Sequence, residues 1–188
     1  NNSALSEVTV SYSKSGSMIV NSSTDVSGDF SQSLVLGTYT LSYSKSGYLD
    51  EIQSATLSDN QTLIVSTLKM LQDSCTSGTI SGTIKDAVSN SAVSGVSLSA
   101  RRGLNMTSGT VTAIDTTATT GEYSFSSMSA GWYTVETSIS GYISSTFHVY
   151  ACGDQSEQDA FISTTLAAGA MRIVLSWKTD TDDLDSHI

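Results

Sequence analysis

The chain contains two copies of one short pattern, and this internal repeat constrains its fold more than any other feature. The clearer copy, residues 119–143, reads TTGEYSFSSMSAGWYTVETSISGYI, and the earlier copy, residues 25–49, reads DVSGDFSQSLVLGTYTLSYSKSGYL. The copies share three glycine positions: Gly28 and Gly121, Gly37 and Gly131, Gly47 and Gly141. The first pair is separated by 93 residues and the other two pairs by 94, so the later copy gained one residue. Such a repeat predicts two small domains in tandem.

Apolar residues alternate with serine and threonine along most of the chain, as in VTVSYS, TYTLSYS and GVSLSA. A period of two is typical of strands with one buried face. Serine and threonine supply 38 and 24 of the 188 residues, and proline is absent. A disordered stalk would be rich in proline, so the serine and threonine residues are instead predicted to form the solvent-facing sides of sheets. The predicted fold class is all-β: two tandem Ig-like antiparallel β-sandwiches, no helix, and an extra C-terminal strand.

Turn residues divide the chain into predicted strands and domains. In the first copy, residues 1–72, strands are predicted at 6–12, 17–22, 28–34, 38–45, 50–57 and 62–70. In the second copy, residues 73–166, strands are predicted at 78–87, 94–101, 109–115, 121–127, 132–139, 143–151 and 158–166. The strand at 78–87 has no counterpart in the first copy, whose sandwich is therefore predicted to lack one strand. Residues 167–188 are predicted to form a C-terminal strand and an acidic tail.

A series of short motifs runs through the second copy, from GTISGTIKDAVSNSAVSGVSLSARRG to TTATTGEYSFSSMSAGWYTVETSISGY. Together they resemble the carboxypeptidase regulatory-like domain, a transthyretin-like (prealbumin-like) β-sandwich. The positions that fit the family pattern are Gly78, Ile80, Gly82, Ile84, Asp86, Gly95, Val96, Gly121, Tyr123, Phe125, Gly131, Tyr133, Val135, Gly141 and Tyr142. Ala118 departs from the pattern, which has threonine there, and the first copy fits only from its second strand onward. The resemblance implies a binding, spacer or scaffolding module without catalytic activity.

Cys75 and Cys152 are the only cysteines, and they bracket the second copy. In a β protein rich in serine and threonine this placement predicts a disulfide, with two buried thiols as the alternative. The bond would close a loop of 77 residues and stabilise the fold by roughly 4.5 kcal/mol in the chain-entropy description. A disulfide also favours an extracellular or cell-surface location.

The segment 171–177, MRIVLSW, is a strong predicted strand without a counterpart in the repeat. Its alternating apolar residues are Met171, Ile173, Leu175 and Trp177. One missing strand and one surplus strand suggest that this donor strand completes the first sandwich of another copy, in a head-to-tail polymer. The alternative is truncation, because MRIVLSWKTDTDDLDSHI resembles the opening of a further β domain found in large surface proteins.

Charge and hydropathy exclude two classes of partner. The formal net charge is −10 and the eight basic residues are scattered, so no nucleic-acid partner is predicted. No apolar run approaches the roughly 18 residues that a membrane helix needs, so no membrane insertion is predicted.

Two kinds of polar motif remain. Asp180, Asp182, Asp183 and Asp185 offer hard oxygens suited to Ca²⁺, although a solvated acidic turn is the alternative. N-glycosylation sequons, which would carry covalent glycans, occur at Asn1, Asn21, Asn60 and Asn105, a weak excess over chance. No other cofactor is expected.

Catalysis is poorly supported by the sequence. The only histidines are His148, predicted on a sheet face, and His187 near the end of the chain, and no G-x-S-x-G elbow is present. We therefore expect no enzymatic activity. The leading interpretation is a structural subunit or segment of an extracellular filament or cell-surface appendage. The alternatives are an adhesion or carbohydrate-binding module, with Trp132 as its aromatic candidate, and an accessory domain of a larger secreted hydrolase.

Overall fold

The structure, a computed structural model, describes residues 3–58, 62–65, 67–167 and 169. These residues contain eleven β-strands and no helix, which confirms the predicted all-β class. The strands fall into two units that follow the sequence repeat, a first unit up to residue 72 and a second unit from residue 73.

The first unit has one antiparallel sheet of four strands, in the order β2-β1-β3-β4. Its strands are β1 (Thr9–Lys14), β2 (Ser17–Ser23), β3 (Gly37–Ser44) and β4 (Glu51–Leu57). Alternate residues of the central strands are buried on its inner face: Val10, Tyr12, Tyr39, Leu41 and Tyr43. The serine and threonine residues between them are less buried, so the period of two in the sequence reflects two unlike faces of this sheet.

The second unit is a sandwich of two sheets, in the orders β10-β9-β6-β7 and β11-β5-β8. Its strands are β5 (Gly78–Asp86), β6 (Ser97–Arg102), β7 (Ala113–Thr116), β8 (Glu122–Met128), β9 (Gly131–Ser138), β10 (Thr146–Ala151) and β11 (Ala160–Ile162). The pairs are antiparallel except for β5 and β11, which run parallel. The core between the sheets includes Ile80, Ile84, Leu98, Phe125 and Tyr133, each at most 1% exposed.

Two strands predicted in the first unit are not formed. Residues 28–34 and the described part of 62–70 are irregular, although their sequences alternate as strands do. Their counterparts in the second unit, β8 and β11, both pair with β5. The described first unit has no counterpart of β5, so these segments have no central strand to pair with.

Several strands of the second unit are shorter than predicted, among them 143–151, which is observed as Thr146–Ala151. The predicted strand 109–115 is observed as Ala113–Thr116, and 158–166 is reduced to Ala160–Ile162. Before Ala113, Gly103, Asn105 and Gly109 all have positive φ, which keeps this segment in a loop.

The residue gained in the later repeat forms a β-bulge. Gly78 pairs with Met128 and Ile80 with Phe125, so one residue of β5 lies opposite two residues of β8. Ser127, one of those two, has φ of 56°. A bulge of this kind takes up an extra residue while leaving the buried side chains on either side in phase.

Candidate assembly interface

One buried hydrogen-bond pattern occurs in both units and shows how their residues correspond. The Thr117 hydroxyl accepts a hydrogen bond from the Val96 amide at 2.9 Å and donates one to the Val93 carbonyl at 2.8 Å. Thr24 makes the same two bonds, at 2.9 and 2.6 Å, with residues of the first unit. Thr24 therefore corresponds to Thr117, and residues 29–32 correspond to the first half of β8.

A second shared contact aligns the ends of the units. The Ile143 amide donates to the Ser163 carbonyl at 2.8 Å, and the Leu49 amide donates to the Leu71 carbonyl at the same distance. Leu71 therefore corresponds to Ser163, and residues 68–70 correspond to β11.

In the second unit, β5 lies between β8 and β11 and completes the sheet that they form. Its Ile80 and Ile84 side chains are fully buried against the opposite sheet. Thus one strand provides both the hydrogen bonds that join its neighbours and part of the core.

The corresponding place in the first unit is an open groove, defined as the space between residues 29–34 and 68–70 over the inner face of the sheet. Its volume is about 1560 Å³. Apolar side chains line it, among them Phe30, Leu34, Leu41, Leu63, Leu68 and Met70. The backbone groups of residues 30–32 make no hydrogen bond to any other described residue. The groove thus offers apolar surface and unpaired backbone together, which proteins normally cover.

Exposed apolar side chains are concentrated in the first unit. Among the described residues, seven of the eleven large apolar side chains that are exposed belong to it, and the other four, Val88, Val111, Ile114 and Ile143, belong to the second unit. The seven are Met18, Ile19, Val26, Val35, Leu36, Leu63 and Ile64. Val35 and Ile64, 73% and 88% exposed, belong to the lining of the open groove. A clustered apolar surface of this kind marks a site of interaction.

The two units are joined by backbone contacts, at a place that we call the joint. The Leu104 amide donates to the Ile52 carbonyl at 2.8 Å, and the Ser54 amide donates to the Leu104 carbonyl at 2.9 Å. Next to them, a side chain on Gly103 would place its Cβ 2.5 Å from Ile52 Cγ1 and 2.8 Å from the Ile52 carbonyl oxygen. The loop of the second unit therefore pairs with the free edge of β4, and the fit requires glycine.

A buried carboxylate lies at the same joint. Glu51 is fully buried, and its Oε2 accepts from the Trp132 amide at 3.3 Å and pairs with Arg102 at 3.3 Å. Burial raises the pKa of Glu51, while Arg102 and the Trp132 amide act in the opposite direction. Glu51 Oε1 and Gln53 Nε2 have no hydrogen-bond partner in the described part of the chain. Separating the units would remove the cation that partners this carboxylate.

Trp132 packs at the joint. Its indole N–H donates to the Lys69 carbonyl at 2.7 Å, and its ring centre lies 5.0 Å from that of Tyr150. An indole whose only donor is already used, and whose ring contacts another aromatic, favours packing over a platform for sugar rings.

The predicted disulfide is formed between Cys75 and Cys152, with an S–S distance of 2.11 Å. It ties the segment that follows the first unit to the connection between β10 and β11. The alternative of two buried thiols is therefore wrong.

Several other predicted site residues lie outside the described residues: Asn1, Asn60, Met171, Ile173, Leu175, Trp177, Asp180, Asp182, Asp183, Asp185 and His187. Of the two described sequons, Asn21 is exposed in β2 and Asn105 is exposed in a loop. Their glycosylation, and calcium binding by the acidic tail, stay predictions.

His148 lies in β10, and its Nε2 accepts a hydrogen bond from the Asn105 amide at 3.2 Å. Burial lowers the pKa of His148, which suits this acceptor role. Within the described ranges, no three His, Cys, Asp or Glu side chains are grouped so that they could hold a metal ion. Nor does that part of the chain have a helix long and apolar enough to cross a membrane.

Sequence reasoning missed the joint. Its signal was present in β4, EIQSATL, where Glu51 and Gln53 share the alternating phase of Ala55 and so point toward the core. At the corresponding positions, 94 residues later, the chain has Ser145 and Phe147. Two long polar side chains in a buried phase are uncommon without a partner, and this departure indicates a contact with another unit.

The comparisons with known proteins concern the second unit most directly. The family model of the carboxypeptidase regulatory-like domain matches residues 79–163, which confirms the resemblance for that unit. No curated protein sequence is significantly similar to the chain.

Among the solved structures to which the chain is similar are a Bacillus anthracis protein and two pilins. The Bacillus anthracis TIE protein is 17% identical, with 86% of this chain and 31% of that chain covered and a TM-score of 0.39. A streptococcal ancillary pilin is 16% identical, with 86% and 58% covered and a TM-score of 0.38. The shaft pilin SpaA from Lactobacillus rhamnosus GG is 12% identical, with 87% and 89% covered and a TM-score of 0.39. This chain therefore spans about a third and somewhat over half of the first two proteins.

Proposed function

We propose that this chain is a structural segment of an extracellular filament or cell-surface appendage, and that its copies associate head-to-tail by β-strand addition. The observation that carries the proposal is the open groove of the first unit. An apolar sheet face beside unpaired backbone supports association with another chain, because both kinds of group gain when a strand covers them.

Two further features support a load-bearing, extracellular role. The joint combines backbone pairing with an ion pair between Arg102 and the buried Glu51, which favours a fixed orientation of the units rather than a loose linker. The Cys75–Cys152 bond favours an extracellular location, because disulfides persist in oxidising environments such as the outside of the cell.

The test is the state of association of the full chain. We expect sedimentation velocity to show mass that grows with protein concentration, and electron microscopy to show fibres or chains of particles. A chain that stays monomeric and monodisperse at all accessible concentrations would contradict the proposal, since the open groove would then be stable in water.

A second candidate is an accessory module of a larger secreted hydrolase, supported by the match of residues 79–163 to a regulatory-like domain. This role does not require copies to bind one another. A stable monomer in the same experiment would therefore favour the second candidate over the first.

A further inference from the structure

We propose that the open groove is an acceptor site for one β-strand, and that its occupant is residues 171–177 of a second copy of this chain. The inserted strand runs antiparallel to residues 29–32 and parallel to residues 68–70. The inference rests on the proposed head-to-tail assembly and adds the identity, direction and register of the strand.

The second unit provides the template for this geometry. There β5 is antiparallel to β8, with Ile80 opposite Phe125, and parallel to β11, with Ile84 beside Ala160. In the first unit, Gln32 corresponds to Phe125 and Leu68 corresponds to Ala160. A strand placed as β5 is would therefore have Gln32 opposite the position of Ile80 and Leu68 beside the position of Ile84. The two walls of the groove are therefore already related as the two neighbours of one strand.

The backbone groups that β5 uses are unoccupied in the first unit. In the second unit, the Ile84 amide donates to the Gly121 carbonyl and the Ala87 amide donates to the Ile162 carbonyl, both at 2.9 Å. The corresponding carbonyls, those of Gly28 and Met70, accept no hydrogen bond from any described residue. A strand inserted here would supply both missing donors, and main-chain bonds of this kind give strand addition its affinity.

The apolar pattern of residues 171–177 fits the groove. Met171, Ile173, Leu175 and Trp177 share one face of a strand, as do residues 80, 82, 84 and 86 of β5. With Met171 at the position of Ile80, this face lies over Leu41 and Tyr43, and Arg172 lies opposite Ser31 on the outer side. The exposed Gln32 corresponds to Phe125, which is buried in the second unit.

The end from which this segment leaves the molecule indicates a second copy. Trp132 near the start of β9 touches the first unit, whereas Tyr142, just beyond the end of β9, is bridged to Thr164. The six residue steps of β9 from Trp132 to Ser138 span roughly 20 Å, so Tyr142 lies at the end of the second unit that faces away from the first. Because Thr164 is bridged to Tyr142, the chain beyond Thr164 leaves the molecule at that far end. Insertion into another copy extends the line of units, and one groove and one donor per chain allow the line to continue.

The register predicts which side chains meet. Both native cysteines are in the disulfide, so introduced cysteines report selectively. In the full chain with Ser31→Cys and Arg172→Cys, we expect a ladder of disulfide-linked multimers on non-reducing gels after mild oxidation. The matched control is Ser31→Cys with Ile173→Cys, whose second cysteine is one residue away but on the inner face, and we expect no ladder.

Equal linkage in both variants, no linkage in either, or a bond within one chain would each overturn the inference. If the unsubstituted chain forms fibres but the first variant gives no ladder, this inference is overturned while the proposed function still stands. Linked dimers in a sample that never forms fibres would support the strand site and contradict the filament.

A second measurement avoids dependence on disulfide chemistry. The full chain with Ile173→Asp and Leu175→Asp should self-associate at least about tenfold more weakly, because two apolar side chains no longer gain from burial. Arg172→Asp with Ser176→Asp changes the outer face of the same segment and should have a much smaller effect. Equal effects of the two pairs would overturn the inference.

Discussion

At the scale of residues, single hydroxyl groups hold the ends of strands in both units. The Thr117 side chain is 4% exposed and bonds both a buried amide and a buried carbonyl. The same arrangement recurs at Thr24. Because a buried backbone group without a partner costs more than a normal hydrogen bond contributes, these residues matter more than their size suggests.

Replacing Thr117 by Val keeps the shape of the side chain and removes both hydrogen bonds. We expect the free energy of unfolding to fall by about 2–4 kcal/mol, because the Val96 amide and the Val93 carbonyl stay buried without a partner. Urea titration followed by circular dichroism measures the change. Thr120→Val, at an exposed position of the same turn, is the control and should stay within about 0.5 kcal/mol. Equal values for the two variants would contradict the assigned role of Thr117.

At the scale of elements, β8 shows how a strand accommodates an inserted residue. Ser127 takes a left-handed conformation with φ of 56°, and Phe125 and Met128 on either side stay buried. Serine is strained in this conformation, whereas glycine adopts it freely. The bulge therefore preserves the core at the cost of some local strain.

Ser127→Gly should stabilise the second unit by about 0.5–1 kcal/mol, because it relieves this strain. Ser126→Gly, one residue earlier and also exposed, should destabilise it by a similar amount, because glycine there only adds freedom to the unfolded chain. Thermal unfolding of the two variants gives the signs directly. Destabilisation by Ser127→Gly would show that the bulge is not strained.

At the scale of the whole molecule, the joint decides whether the two units act as one body. Its backbone bonds use a single residue of the second unit, Leu104, which pairs with β4 of the first. The adjoining Gly103 allows the close approach because it has no side chain. These contacts hold the two units in one orientation relative to each other.

Gly103→Ala should loosen the joint, because the added methyl group meets the Ile52 carbonyl oxygen and side chain. Gly109→Ala is a close control, since φ is 98° at Gly103 and 93° at Gly109 and nothing lies within 4 Å of a Cβ at Gly109. Both variants bear the same backbone strain, so only the first should increase the radius of gyration in small-angle X-ray scattering. An equal response of both variants would mean that the glycine acts through φ rather than through contact.

Much of this protein was readable from the sequence. The alternation of apolar residues with serine and threonine predicted the strands of the second unit and their buried faces. Both cysteines were correctly paired, because only two are present and they bracket one unit. The motifs of residues 79–163 identified the regulatory-like domain. These features depend on residue type and spacing along the chain, which a sequence records directly.

Only the tertiary structure showed that residues 28–34 and the described part of 62–70 form no strand, and where the joint lies. Their alternation meets the local requirement of a strand, but a strand also needs a neighbour, and the described first unit has no counterpart of β5. The joint brings Glu51 to Arg102 across 51 positions of sequence. The repeat thus determined which strands each unit can form. Pairing between distant segments determined which of them do form, because the backbone hydrogen bonds of a sheet are made between strands and not within them.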